Sequence, residues 1–394
     1  MKPIYVLFLI VFVDLVGFGL LIPLLPFYVQ RVGAGPEIIT ITLGLYSLFQ
    51  FIAAPIWGRL SDRYGRRPIL AWSLAGFAIS HVVLGFADSL WLVIVTRIFG
   101  GLMAGNVSAA FAYVTDVTTE ENRAKGMGFL GAAFGLGFVF GPVIGGLLAG
   151  PDVETANYTL PAMFAAVLTT VALIGVITAL PESLSPEIRE RIRNKPKILL
   201  PDQLRLTLSR KALVLIIAIT FFLTMAFAVL EVILGLWAYD VLSYGPRDIG
   251  LLLTYVGVIG VVVQGGLIGP LTKRFSERSL VSTAVVSQLI GYSILVYAVG
   301  WQFLFVAMTL LAIGSGLYNP ILSSLVSKEA GDTERGAVLG IFQGASSFAR
   351  VIGPLYAGAA YAGLGPSAPF AIAAICMAPT LVMVLLLPRS KASS

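Results

Sequence analysis

Twelve apolar runs, each long enough at about 20 residues to cross a bilayer as a helix, follow one another along the chain, most of them joined by short polar connections. A hydrocarbon core offers the backbone no water to bond, so a run of this kind folds as a helix that satisfies its own amides. With 58% apolar residues, 12% charged residues and a mean hydropathy of +0.93, little chain remains outside the spans. A catalytic domain outside the membrane is thereby excluded. The expected fold is all-α, with twelve transmembrane helices in two pseudo-symmetric six-helix bundles.

The net charge of +6 and the pI of 9.4 raise the question of nucleic acid. Alternation of sides answers it: 22 Lys and Arg, among them Lys2, Arg59, Arg123, Lys125, Arg335, Arg389, Lys391 and eight between Arg189 and Lys211, fall on the side of the two termini. Only Arg31 and Arg247 fall opposite. This bias places both termini in the cytoplasm of a cell with an inner membrane and accounts for the basic pI without a polyanionic partner. The first span, from about residue 4 to 29, is too long for a signal peptide and is expected to be retained. One cysteine, Cys376, and one histidine, His81, argue against an internal disulfide, a zinc site or haem attachment. No cofactor is expected, and no nucleophile has a base and an orienter near it, so the reading is not an enzyme.

The longest charged stretch divides the chain into an amino-terminal bundle over 1–180, a linker over 181–211 and a carboxy-terminal bundle over 212–394. The halves echo each other. GRLSDRYGRRPIL from Gly58 lies over GPLTKRFSERSLV from Gly269, an offset of 211, and Asn106 over Asn319 is offset by 213. Arg123 over Arg335, and Gly141-Pro142 over Gly353-Pro354, are both offset by 212. Parallel repeats of this kind predict a substrate site near mid-membrane between halves that rock to expose it on alternate sides.

The connection after the second span, Gly58 to Pro68, carries Arg59, Asp62, Arg63, Arg66 and Arg67 with glycines at 58 and 65. Positive-inside bias explains the arginines but neither the aspartate nor Gly65, which permits a tight turn. In the fifth span Gly131, Gly135, Gly137, Gly141, Gly145 and Gly146 recur on one face, which lets another backbone approach, and Pro142 adds a bend. The Gly58 to Pro68 loop resembles the signature loop of the major facilitator superfamily. Within it the chain most resembles the twelve-span drug:proton antiporters, tetracycline exporters included. Phe12 to Tyr28, with Asp14, Gly17, Gly19, Pro23 and Pro26, is similar to their first-helix motif, Arg97, Gly101 and Gly105 to the fourth-helix motif, and Gly137, Gly141, Pro142, Gly145 and Gly146 to the antiporter motif of the fifth. The resemblance implies gating by Gly58, Asp62, Arg63, Gly65, Arg66, Arg67 and Asp116. In this arrangement Asp62 meets the start of the eleventh helix near Arg335 to Gly340, and Arg66 pairs with Asp116. Two departures argue against tetracycline itself as substrate: Ser80 followed by His81 stands where those exporters carry an acid in the third helix, and Gln288 where they carry one in the ninth.

Ionisable residues inside a span are costly and are functional candidates by default. Asp14 and Arg97 are expected to approach each other in the first bundle, and Glu231 and Arg350 to pair in the second. These four are the proton-coupling candidates, because burial favours a neutral acid, a nearby cation favours a charged one, and substrate can tip the balance. His81 alone on an apolar helix reads as hydrogen-bonded packing. Tyr46, Gln50, Asn106, Gln264, Asn319 and Gln343, with aromatic walls from Phe134, Phe138 and Trp237, are the expected cavity residues, a lining suited to lipophilic or amphipathic solutes. The leading expectation is a monomeric, proton-coupled antiporter that exports small molecules such as drugs by rocker-switch alternating access. Its partners are substrate, protons and membrane lipids. A lipid or lysolipid translocase and a non-transporting sensor are the alternatives, the sensor needing neither the repeated motifs nor the buried charges.

Overall fold

The computed structural model describes residues 2–185, 190, 205, 207–298, 300–330 and 335–387. Among them twelve helices are long and apolar enough to cross a membrane, and no strand is present. The helices are α1 (Lys2–Leu21), α2 (Leu25–Arg31), α3 (Pro36–Tyr64), α4 (Arg66–Gly85), α5 (Leu90–Met103), α6 (Val107–Val117), α7 (Glu120–Ala149) and α8 (Thr159–Ala179). After the linker come α9 (Lys211–Leu242), α10 (Pro246–Val262), α11 (Ile268–Arg274), α12 (Glu277–Tyr297), α13 (Trp301–Glu329), α14 (Arg335–Leu364) and α15 (Ala368–Leu385). Of the basic residues used to orient the chain, those from Arg189 to Lys197, Arg389 and Lys391 lie outside the described residues, as do the side chains of Lys2, Arg123, Lys125 and Arg335.

Three spans differ from the expected continuous runs. The first stops at Leu21 and restarts as α2, because Pro23 lacks the amide that would continue the ladder and Pro26 suits the opening turn of a new helix. The fourth is α5 and α6 joined by a 3₁₀ turn over Ala104–Asn106. In the eighth a π-helical turn over Val263–Leu267 separates α10 from α11, at a Gln-Gly-Gly sequence whose glycines give the backbone freedom to widen.

The chain packs as two compact units. One holds residues 1–196 with 244–255, and the other 197–243 with 256–394. The start of α10 therefore belongs with the first six spans, not with the carboxy-terminal bundle that the linker predicts: the Thr254 hydroxyl donates to the Val139 carbonyl at 3.1 Å, and a side chain at Gly250 would meet the Gly146 backbone at 3.0 Å. Within the first unit α1 packs on α7 and α8, and α4 on α8; within the second α9 packs on α14 and α15, and α12 on α15. These are the same spans of each half, so the repeat read from sequence is also a repeat of packing.

The glycine face of α7 makes its closest contact with α1. A Cβ on Gly137 would lie 2.6 Å from Leu15 Cβ, one on Gly141 2.6 Å from the Gly19 Cα, and one on Gly145 2.9 Å from the Leu20 carbonyl carbon. Gly146 turns elsewhere, toward Pro246 and Arg247 at the start of α10, and Gly131 has nothing within 4 Å, so the packed face is shorter than the glycine pattern suggests. The faces left uncovered are apolar, with Leu9, Trp72, Trp91, Val167 and Ile174 among the exposed side chains.

Where backbone meets backbone an added methyl has nowhere to go. Gly141→Ala is expected to cost about 1–3 kcal/mol, the usual range for overpacking, whereas Gly131→Ala, in open space, should be neutral or stabilising by up to about 1 kcal/mol from helix propensity. Thermal unfolding of both variants in detergent checks the contrast.

Candidate functional site

Three clusters of charge contain the expected site residues. The first lies where α3 turns into α4. Gly65 is the only residue between the helices and has φ +111°, a conformation any side chain would strain. This turn swings Arg66, only 3% exposed, into a socket of acids: its Nε donates to Asp116 at 3.0 Å, its Nη1 to Asp62 at 2.5 Å and to the Ser61 hydroxyl at 2.7 Å. Asp62 thus has Arg66 as its partner within this unit, while the side chains of 335–337, its expected counterpart, lie outside the described residues. Arg63 lies over the Tyr64 ring, its guanidinium carbon 5.3 Å from the centroid, and a side chain at Gly58 would meet only the Ser108 hydroxyl, at 3.8 Å.

Glu182, which the sequence reading left in the linker, completes this cluster. Its carboxylate accepts from the backbone amides of Arg66 at 2.9 Å and Arg67 at 3.2 Å, filling the place of the missing N-cap on α4. It also accepts from the amides of Ser183 and Leu184, and Ser183 in turn donates to Asp116 at 3.0 Å. In exchange Arg67 donates to the carbonyls of Val176 and Ile177, the last turn of α8, whose oxygens have no amide of their own to accept from. An acid directly after an apolar span, on a side otherwise crowded with bases, is the one sequence signal that marks Glu182.

The second half repeats this construction with the charges exchanged. Glu277, which stands over Arg66 in the repeat, accepts from Lys328 at 2.7 Å, and Lys328 stands over Asp116. Arg278, over Arg67, donates to the carbonyl of Leu385 at the end of α15 as Arg67 does at the end of α8. Ser276 caps α12 locally through the Ser279 amide at 3.2 Å, so no counterpart of Glu182 is required.

The second cluster surrounds Asp14, midway along α1. Asp14 lines a cavity of about 30 Å³, room for roughly one water, enclosed by α1, α4, α6 and α7. Asn106 is its only other polar member, and Phe134 forms part of its wall. The expected meeting of Asp14 with Arg97 does not occur as an ion pair. Asp14 accepts instead from the Thr169 hydroxyl on α8 at 3.3 Å. Arg97, 2% exposed, sits 5.8 Å from the centroid of the Tyr46 ring, and its Nε and Nη2 have no hydrogen-bond acceptor among the described residues. Tyr46 is a neighbour of both charges; its ring is stacked on Phe18 at 5.3 Å, against which Phe138 packs edge-on. Gln50 is committed to the Ala104 carbonyl at 3.4 Å.

In the second unit Arg350 donates to Glu231 at 2.8 Å, with side-chain exposures of 41% and 19%. Tyr318 lies in electrostatic range of both. Trp237, expected on a cavity wall, is fully buried instead: its indole donates to the Ser367 hydroxyl at 3.1 Å and its ring meets Phe370 edge-on, because that face of α9 is covered by α15. Gln264 on the π-helical turn, Asn319 and Gln343 are exposed within their unit. Among the described residues no cluster of histidine, cysteine and carboxylates has the arrangement of a metal site.

The family model described as Major Facilitator Superfamily matches residues 7–300 and 244–394. The chain belongs to the major facilitator superfamily. As a member it is a multi-pass membrane transporter, and its relatives include the class C tetracycline resistance protein of Escherichia coli, 32% identical over 89% of this chain and 87% of that one. The quinolone resistance protein NorA of Staphylococcus aureus is 26% identical over 91% of this chain and 90% of its own length. Among solved structures the human organic anion transporter MFSD10 (TETRAN) superposes with a TM-score of 0.74 at 23% identity, over 97% of this chain and 99% of that one. The nucleoside transporter NupG does so with a TM-score of 0.82 at 11% identity, over 98% and 99%. Such low identities speak for the superfamily fold alone.

The two versions of the repeated ion pair differ in burial, and the difference is measurable. Arg66→Ala would strand Asp116, 8% exposed, and is expected to cost about 3–5 kcal/mol, the range for breaking a buried pair. Lys328→Ala removes a 61% exposed partner from Glu277, 13% exposed, which keeps the Ser324 hydroxyl as a donor at 3.3 Å, and should cost less, about 1–3 kcal/mol. Unfolding midpoints of the two variants, with Arg66→Ala/Asp116→Ala as the double variant that relieves the stranded acid, test the assignment.

Proposed function

We propose that the protein is a proton-coupled antiporter that exports small lipophilic or amphipathic compounds, drugs among them, across an inner membrane with both termini in the cytoplasm. The observation that carries this reading is Asp14: an acid inside the first span, facing a cavity, with no cationic partner among the described residues. An ionised side chain at such a depth is expensive, so the carboxyl is suited to taking up a proton in one state of the transport cycle and giving it up in another. The relatives named for resistance to tetracycline and to quinolones support drugs as the substrate class. Transport proceeds in this reading by rocking of the two repeats, in a monomer that uses protons as its only coupling partner and no cofactor. The Arg66 socket, with Asp62 and Asp116, acts as a lock at the cytoplasmic end.

Asp14→Asn keeps the shape of the carboxyl and removes its proton chemistry. Reconstituted into vesicles and screened over a panel of lipophilic compounds, that variant is expected to lose export driven by a pH gradient while keeping its fold; gradient-driven export at the wild-type rate would overturn the reading.

The Glu231 and Arg350 pair supports a further element, recognition of cationic or zwitterionic substrates. A bound cation can take over the stabilisation that Arg350 provides at 2.8 Å, whereas a neutral compound cannot. Glu231→Gln is expected to lower transport of cationic compounds selectively. Equal loss for matched cationic and neutral compounds would make the pair structural.

A further inference from the structure

Behind Asp14, away from its cavity, two fully buried polar side chains continue the line that it begins. Thr169 and His81 are both at 0% exposure, and the Thr169 hydroxyl lies 3.3 Å from Asp14 Oδ1 and 3.4 Å from His81 Nδ1. One hydroxyl carries one proton, so it cannot donate to both neighbours at once. With Asp14 ionised, Thr169 donates to the carboxylate and can only accept from the ring, which then bears its proton on Nδ1. With Asp14 protonated, the carboxyl donates to Thr169, the hydroxyl turns to Nδ1, and the ring proton is on Nε2. The three side chains therefore have two complete hydrogen-bond patterns that differ by one proton.

We propose that His81, Thr169 and Asp14 form a proton relay in which the ring delivers a proton through the Thr169 hydroxyl to Asp14, a proposal that rests on the reading of Asp14 as the coupling site. A proton arrives at Nε2, which has no hydrogen-bond partner among the described residues. The ring's Nδ1 proton passes to Thr169 Oγ1 while the hydroxyl's own proton passes to Asp14 Oδ1. One proton has entered and one carboxylate has become a carboxyl; ring and hydroxyl are again neutral. His81 is fifteen residues into α4 and Asp14 twelve residues into α1. Both helices start at the same end, so at about 1.5 Å per residue the ring is the more remote from that end. A proton entering from the far side thus meets His81 first.

The surroundings favour onward transfer. Among the described residues the titratable and charged groups that face this line are Tyr46 from α3 and Arg97 from α5, with none from α7 or α8; Tyr28 of α2 stands behind them, next to Arg97. Arg97 acts directly on the ring, and two cations side by side repel, so imidazolium is a state of passage. The Ala165 carbonyl, one turn from Thr169, is the ring's other polar neighbour, and Phe77 packs on the ring with centroids 4.4 Å apart. Phe77 holds the imidazole in place as its proton changes sides, whereas the carbonyl, which can only accept, bonds the ring only when the nitrogen facing it bears the proton.

His81 is the only histidine in the chain, so protein labelled with ¹⁵N-histidine gives a single pair of ring signals. In lipid nanodiscs, lowering the pH is expected to move the wild-type ring from the Nδ1–H to the Nε2–H form. Thr169→Val, which keeps the shape without the hydroxyl, should uncouple the ring, and Thr169→Ser should restore the change. In vesicles, Thr169→Val should lower gradient-driven export of ethidium by about tenfold or more, the scale of one hydrogen bond to a charged group, while ethidium exchange without a gradient persists. A wild-type ring that keeps one tautomer at every pH, or the same switch in Thr169→Val, overturns the relay; the wild-type measurement decides even if the variant does not fold. Failure of the underlying reading is separate. Gradient-driven export that survives in Asp14→Asn removes Asp14 as proton carrier whatever the ring does, whereas its loss there beside an unchanging ring refutes the relay alone.

Discussion

A chain buried in hydrocarbon has to find a partner for every amide and carbonyl inside itself, and helices solve this everywhere except at their ends. In each half the ends that matter are closed by side chains from a neighbouring span. Arg67 supplies donors to the last carbonyls of α8, Arg278 does so for α15, and Glu182 supplies the acceptors that the first amides of α4 lack. The charged cluster at the α3–α4 turn is therefore both the stopper of two helix ends, the last turn of α8 and the first of α4, and the proposed lock. A change of state at this end must exchange these bonds together, which makes an all-or-none transition more natural than a graded one.

The second constraint is how closely helices approach. Without a hydrophobic force between apolar surfaces in lipid, contact is won by removing side chains from the interface, and the row of Gly137, Gly141 and Gly145 against Leu15, Gly19 and Leu20 does this for α1 and α7. Such an interface fixes the position of α1 and hence of Asp14. The acid, its cavity and its hydrogen bond to α8 are held by a contact that has no side chain to rearrange.

The spans, the repeat, the glycine row and the meeting of Arg66 with Asp116 were all legible in the sequence, because each leaves a local pattern or a motif of fixed spacing. What was not legible is set by pairs far apart in the chain. Thr169 is 155 residues from Asp14 and 88 from His81, and nothing near any of the three announces the others. Asp14 and Arg97 looked like partners because depth along a helix says how far in a residue lies but not which neighbour its side chain meets, Thr169 for Asp14 and Tyr46 for Arg97. Glu182 was hidden by the composition of the segment it opens. Gly131 shares the spacing of the glycine row yet meets nothing, since periodicity identifies a face and not how much of it is covered.

The exchange of signs between Arg66 with Asp116 and Glu277 with Lys328 also gives the halves different relations to the surrounding electrolyte. An exposed pair is screened within a Debye length of about 8 Å at physiological ionic strength, whereas a buried one is screened far less. Lys328 stands in the solvent and Arg66 does not. Raising the salt concentration on that side of the membrane would weaken the pair of Lys328 and Glu277 more than that of Arg66 and Asp116, so two halves built on one plan answer a change of medium unequally.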